Sequence, residues 1–165
     1  MDNLAFTVKN IPSKIVMGVQ RRTSNADGRS VEDIPACWQD FLKKNMALKI
    51  PNRAKTPAMF AVYSDYQSDW AGEYAYMIGS EVTKADKIPT GLTVVRIPAQ
   101  TYAVFTAAGP MPDALLGIWM SVWGTRLPRA YTFDFEQYDA RFTRMENKEV
   151  DVYIAINEEQ FKTMQ

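Results

Sequence analysis

The sequence predicts an α+β fold in which one unit, strand–helix–strand–strand, is used twice. Three pairs of segments carry that expectation. Ile11-Pro12-Ser13-Lys14 followed by Ile15-Val16-Met17-Gly18-Val19 reads against Ile97-Pro98-Ala99-Gln100 followed by Thr101-Tyr102-Ala103-Val104-Phe105. Phe60-Ala61-Val62-Tyr63 reads against Phe135-Glu136-Gln137-Tyr138. Between them, each half holds one helical pattern that contains tryptophan. Self-similarity of this kind means one supersecondary unit stacked on its copy.

The elements follow in order. The first strand pattern starts after Ile11-Pro12. A helix is expected over Val31–Asn45, with Ile34, Trp38, Phe41 and Leu42 at three- and four-residue spacing on one face. Ser30 suits its cap, Glu32 and Asp33 its first turn, and Lys43 and Lys44 its last. Strands at Phe60–Tyr63 and Tyr74–Ile78 close the first repeat, about 4–82. The polar, Pro-containing stretch 83–91 is the expected linker. The second repeat, about 92–156, has its helix over Pro112–Trp123, with Pro112 at the start and Gly124 at the stop. Leu115, Leu116, Ile118, Trp119, Met120, Val122 and Trp123 cover more than one face of it, so it is either deeply buried or partly covered by a ligand. Strands at Phe135–Tyr138 and Asp151–Ile156 follow, and 157–165 reads as a short helix or tail. Neither copy can bury its own sheet face well. The two are expected to pair across a pseudo-twofold axis, as one domain over 1–165. That domain would hold one antiparallel sheet, with both helices on one side and a central groove.

Composition narrows the chemistry. The 165 residues suit one packed core. Lys plus Arg and Asp plus Glu number 19 each, so nothing pulls the chain toward phosphate backbones. The basic pairs Arg21-Arg22 and Lys43-Lys44 read as solvated surface. No apolar run reaches the roughly 20 residues of a membrane span, and the N-terminus lacks a signal-peptide pattern. With the lone Cys37, this suggests a reducing, cytoplasmic setting. There is no histidine, which excludes Ser-His-Asp and Cys-His catalysis and removes the commonest metal and haem ligand. No metal and no cofactor is expected. Asp65, Asp69 and Glu73 surround Trp70, but they lack the spacing and glycine of a calcium loop and read as a polar hairpin.

The positive signal is aromatic: four Trp, eight Tyr and eight Phe, whose polar atoms suit a cleft that is apolar without being dry. Glu136 stands inside a strand between Phe135 and Tyr138, where a carboxylate is costly unless partnered. A solvated edge position, an ion pair with Arg126, Arg129 or Arg141, and a ligand contact are the readings open for it. Strand alternation puts Glu136 and Tyr138 on one face, opposite Phe135 and Gln137. By the repeat, Ala61 and Tyr63 take the equivalent face, and the small Ala61 leaves volume there. Tyr63, Tyr138, Tyr102, Tyr153, Trp119 and Trp123 are the candidate walls of the groove, with ordinary core packing as the alternative for each.

Segment 97–110 resembles the second half of the GyrI-like effector-binding domains, which serve AraC- and MerR-type regulators and also occur alone. Phe135-Glu136-Gln137-Tyr138 is similar to the Phe-Glu-x-Tyr strand of that family, and Asp151–Ile156 to its closing strand. The run Tyr63-Ser-Asp65-Tyr66-Gln-Ser68-Asp69-Trp70-Ala-Gly72-Glu73-Tyr74, continuing through Ile78-Gly79-Ser-Glu81-Val82, resembles the stand-alone, integron-associated branch. The resemblance implies a ligand in the central groove, with Glu136 facing an aromatic cage that receives lipophilic cations. It implies no DNA binding by this chain alone, since the helix-turn-helix of the regulator members has no room ahead of the first repeat. Partners would then be organic small molecules, with a regulator protein or a second copy of the chain as further candidates. Some relatives hydrolyse strained cyclopropane-bearing molecules, which leaves Glu136 as a catalytic acid/base the competing reading. Others inhibit a topoisomerase, and no marker for that occurs in this sequence.

Overall fold

The computed structural model describes residues 5–55 and 58–165. The expected start of the first repeat, at Leu4, lies outside them. The strands are β1 (Thr7–Ile11), β2 (Lys14–Ser24), β3 (Met59–Ser64), β4 (Glu73–Val82), β5 (Thr93–Ile97), β6 (Gln100–Ala108), β7 (Phe133–Tyr138) and β8 (Glu149–Ala155). The helices are α1 (Ser30–Lys43), α2 (Met46–Lys49), α3 (Asp113–Gly124) and α4 (Glu158–Thr163). The eight strands form one sheet in the order β1-β6-β8-β7-β3-β4-β2-β5. Every neighbouring pair is antiparallel.

The unit is one strand longer than expected. Each Ile-Pro is preceded by a short strand, β1 before Pro12 and β5 before Pro98. Proline has no N–H to give a ladder, so pairing stops there and the chain crosses from the other half into its own. β1 then pairs with β6 of the second repeat, and β5 with β2 of the first. The leading strands are thus exchanged between halves. Exchanging β1 with β5, β2 with β6, β3 with β7 and β4 with β8 reproduces the strand order from the other end. A pseudo-twofold axis therefore runs between β3 and β7. Ala61 and Glu136 are equivalent positions of the two repeats, and they are also direct partners across that seam. The axis passes through this pair.

Helices α1 and α3 lie on the same face. Cys37 and Phe41 of α1 and Ile118, Trp119 and Val122 of α3 share one core with Met17, Ile78, Ala103 and Phe105 of the sheet. α1 packs on β2 and β4, and α3 on β6, which leaves the central strands β3 and β7 roofed by neither. Leu42, expected on the packed face of α1, is exposed. That face is centred on Cys37 and Phe41, and Leu42 falls beyond its edge. Ser30 is the first helical residue rather than a cap; Arg29 precedes it, and Asp27 Oδ1 accepts from the Arg29 backbone N–H at 3.1 Å. In α4, the Asn157 side chain caps by accepting from the Gln160 N–H.

The other sheet face carries a second apolar cluster of Val16, Phe60, Val62, Met77, Tyr102, Val104, Phe135 and Tyr153. No helix among the described residues is long and apolar enough to cross a membrane.

Gly18 and Gly79 are direct partners on β2 and β4. A Cβ at Gly18 would sit 1.9 Å from the Ile78 carbonyl oxygen, and one at Gly79 would sit 2.2 Å from that of Met17. The strands approach so closely only because neither residue has a side chain. Gly79→Ala should therefore cost about 1–3 kcal/mol, a fall in Tm of roughly 3–10 °C for a chain of this size. Thermal melting followed by circular dichroism checks this. An unchanged Tm would show that the two strands can separate at no cost.

Candidate functional site: an aromatic cavity around Glu136

The space between α1 and α3, above β3 and β7, is a cavity of about 690 Å³. Ile34, Pro35 and Trp38 of α1 form one wall, and Leu115, Trp119 and Trp123 of α3 the other. Tyr63 of β3, Tyr74 and Tyr76 of β4, and Glu136 and Tyr138 of β7 make the floor. Residues two apart on one strand share a face, so three neighbouring strands deliver five polar-tipped residues to one surface.

Glu136 is 2% exposed. Its Oε2 accepts from the Tyr63 hydroxyl at 2.8 Å and from the Trp119 indole N–H at 2.7 Å, and its Oε1 accepts from the Tyr138 hydroxyl at 2.5 Å. Among the described residues no lysine or arginine pairs with it. Arg129 pairs instead with Asp134 at 2.8 Å, and Arg141 with Asp139, Glu149 and Asp151. Burial raises the Glu136 pKa, and the three donated hydrogen bonds oppose that rise. Burial first, and the charge of Glu136 second, push the hydroxyls of Tyr63, Tyr76 and Tyr138 well above the usual phenol range. They stay protonated and remain donors.

The rings form a continuous cage. Tyr63 lies 5.1 Å from Tyr76 and 4.9 Å from Trp119, centre to centre. Trp38 stands edge-on to Tyr138 at 5.1 Å and donates to the Tyr76 hydroxyl at 2.9 Å. At one end of the cavity, buried Asp134 accepts from Tyr66, from Arg129 and from the Ala155 backbone N–H. That last bond gives the Ala155 N–H a side-chain acceptor beyond the point where β7–β8 pairing ends at Phe135 and Tyr153.

Five of the expected site residues, Glu136, Tyr138, Tyr63, Trp119 and Trp123, line this one cavity. Tyr102 and Tyr153 do not. They pack on the other face of the sheet, where Tyr153 stacks on Phe135 at 4.4 Å and Tyr102 meets the same ring at 5.2 Å. The register decides this: Glu136 pairs with Val152, so Val152 shares its face and Tyr153 takes the opposite one. On β6 the same alternation turns Ala103 and Phe105 toward the helices and Tyr102 away. Trp38, Tyr74, Tyr76 and Arg129 are lining residues that the sequence reading missed. Tyr74 and Tyr76 alternate along β4 as Glu136 and Tyr138 do along β7, which was a usable signal.

The family model of integron-associated effector binding proteins (Cass2) matches residues 7–156. The chain belongs to that family. It is thus a small-molecule-binding protein of the effector-binding class. This effector-binding protein is 31% identical to YobU of Bacillus subtilis (strain 168), named as a candidate transcriptional regulator, over 153 residues covering 90% of this chain and 96% of YobU. It is similar in structure to the integron cassette protein VCH_CASS2 of Vibrio cholerae, with TM-score 0.72 and 26% identity over 94% of this chain and all of that one. SAV2435, solved bound to tetraphenylphosphonium, shares the fold at TM-score 0.79 and 15% identity, with 96% of this chain and 97% of that one covered.

The raised pKa of Glu136 in this effector-binding protein sets the sign of a stability effect. Its ionised form is disfavoured in the fold, so its stabilising contribution is present below the unfolded pKa and is lost as pH rises through the folded one. Glu136→Gln can keep an acceptor toward Tyr63 and Trp119 and offer a donor to Tyr138. The variant should melt above wild type at pH 8, with the gap narrowing as pH falls. Paired melts across pH check this. A variant less stable than wild type at every pH would make Glu136 a structural residue.

Proposed function

We propose that this effector-binding protein takes bulky organic cations, with the cationic centre against Glu136 and its aromatic cage. The single observation that carries the reading is a buried carboxylate held by three aromatic donors, with no basic partner among the described residues. Its charge is left for a ligand to meet. Cation–π contacts of about 0.5–2 kcal/mol each and apolar burial of about 25 cal/mol per Å² supply the rest of the affinity. Neither depends on chemical detail, so the site should be tolerant.

The kind of cation follows from hydrogen-bond capacity. A carboxylate offers about four acceptor positions, and three of those on Glu136 are filled. A primary ammonium would find one acceptor and lose its remaining bonds to water. A fully substituted onium has no N–H to leave unpaired. Tetraphenylphosphonium, the ligand in the solved SAV2435 complex, is such an ion. Sequestering such compounds, or presenting them to a regulator protein, is the cellular role that fits an effector-binding chain with such a cavity.

Fluorescence titration of wild type and Glu136→Gln tests the proposal, using one cationic dye and one neutral dye of similar shape. A charge-assisted contact in a sheltered site is worth roughly 1.5–3 kcal/mol, or about ten- to a hundredfold in affinity. The cationic dye should lose that much and the neutral dye little. Cation binding should also weaken as pH falls through the raised pKa of Glu136. Equal losses for both dyes would contradict the proposal.

A further inference from the structure

The cavity does not end at its cage. Four large apolar side chains at its mouth line it and are also solvent-exposed: Val31 of α1, Leu116 and Trp123 of α3, and Trp70 of the β3–β4 loop. Trp70 is 58% and Trp123 51% exposed. None of the four belongs to either apolar core of the described residues, so packing does not account for them. The fold nevertheless holds Trp70 in place. Gln67 N–H donates to the Glu73 carbonyl at 2.8 Å, Glu73 N–H to Gln67 Oε1 at 3.2 Å, and Ala71 N–H to Asp69 Oδ1 at 2.9 Å. The Gly72 N–H closes the turn by donating to the Asp69 carbonyl at 3.2 Å. Trp70 is thus an indole on a tied loop among polar neighbours.

The mouth is continuous with the cage. Trp119 donates to Glu136 and is 7% exposed, and its ring centre lies 6.4 Å from that of half-exposed Trp123, one helical turn on. A ligand with its charge at Glu136 has an indole path from the buried floor to the rim. We propose that Trp70, Val31, Leu116 and Trp123 form a second subsite, which holds an apolar tail of the ligand. The ligand class is then cationic amphiphiles, with one onium head and one apolar chain, rather than compact cations. This deepens the cation reading and rests on it for the head group. The tail subsite itself depends only on apolar contact.

A homologous series separates the two. Affinities are measured calorimetrically for alkyltrimethylammonium ions from butyl to decyl, below their micelle concentrations, and for their neutral carbon isosteres with a tert-butyl head. Wild type should gain about three- to fourfold per added methylene, the fold-change for a buried CH₂, until the chain passes the two rim tryptophans. In the double variant Trp70→Gln, Leu116→Gln, the butyl ion should bind within about twofold of wild type, and the longer members should lose most of their gain, in both series. Leu116→Gln should flatten the series in part, and an unchanged Tm confirms that each variant folds. Glu136→Gln should lower all ammonium ions alike and leave the slope intact. A wild-type slope in the double variant, or no slope in wild type, overturns the tail subsite. A difference between ammonium and carbon heads that Glu136→Gln leaves undiminished overturns the cation reading alone. No binding by any member overturns both.

Discussion

The carboxylate of Glu136 on the pseudo-twofold axis is the constraint from which the rest of the site follows. A two-repeat sheet brings equivalent positions face to face only at its central seam. There Ala61 meets Glu136. A carboxylate in both copies would put two acids side by side in a buried place, and one of them would have to take up a proton. One copy keeps the charge and the other keeps the space. Burying that charge requires donors, and they come from three elements, Tyr63 on β3, Tyr138 on β7 and Trp119 on α3. The Trp119 bond therefore ties α3 to a seam that it does not otherwise cover. The donors are the edges and tips of aromatic groups, so satisfying the carboxylate also builds the cage around it.

The same chain handles its second buried acid differently. Asp134 lies two residues from Glu136 on the same strand face, yet it is paired with Arg129. A charge neutralised within the fold does not call for a ligand. One carboxylate holds the end of the cavity together, and the other is left with a charge unmet. Removing either partner of a buried pair typically costs about 3–5 kcal/mol, so Arg129 and Asp134 belong to the frame of the site.

Much of this was legible in the residues. The Ile-Pro and Phe-x-x-Tyr repeats located both copies, and alternation placed Glu136, Tyr138, Ala61 and Tyr63 on one face. The exchanged strands were not legible, because β1 reads TVKNI and is largely exposed, with no clean apolar alternation to announce it. Its partner lies in the other repeat, which local sequence does not encode. Tyr102 and Tyr153 were misassigned for a related reason. Alternation says which residues of one strand share a face, but only the register between strands says which face that is, and a one-residue offset reverses it. Trp70 and Trp123 were visible as tryptophans, but their exposure at a common mouth required the fold.

The account's central claim is that the charge on Glu136 is uncompensated until a cation arrives. A carbon-detected NMR titration of its side-chain carboxyl, in free protein and with an onium ligand or its neutral isostere, measures this directly. The account predicts a pKa above the ordinary glutamate range in the free protein, a fall when the onium binds, and no fall with the neutral isostere. An ordinary pKa in the free protein, or the same shift with both ligands, would contradict it.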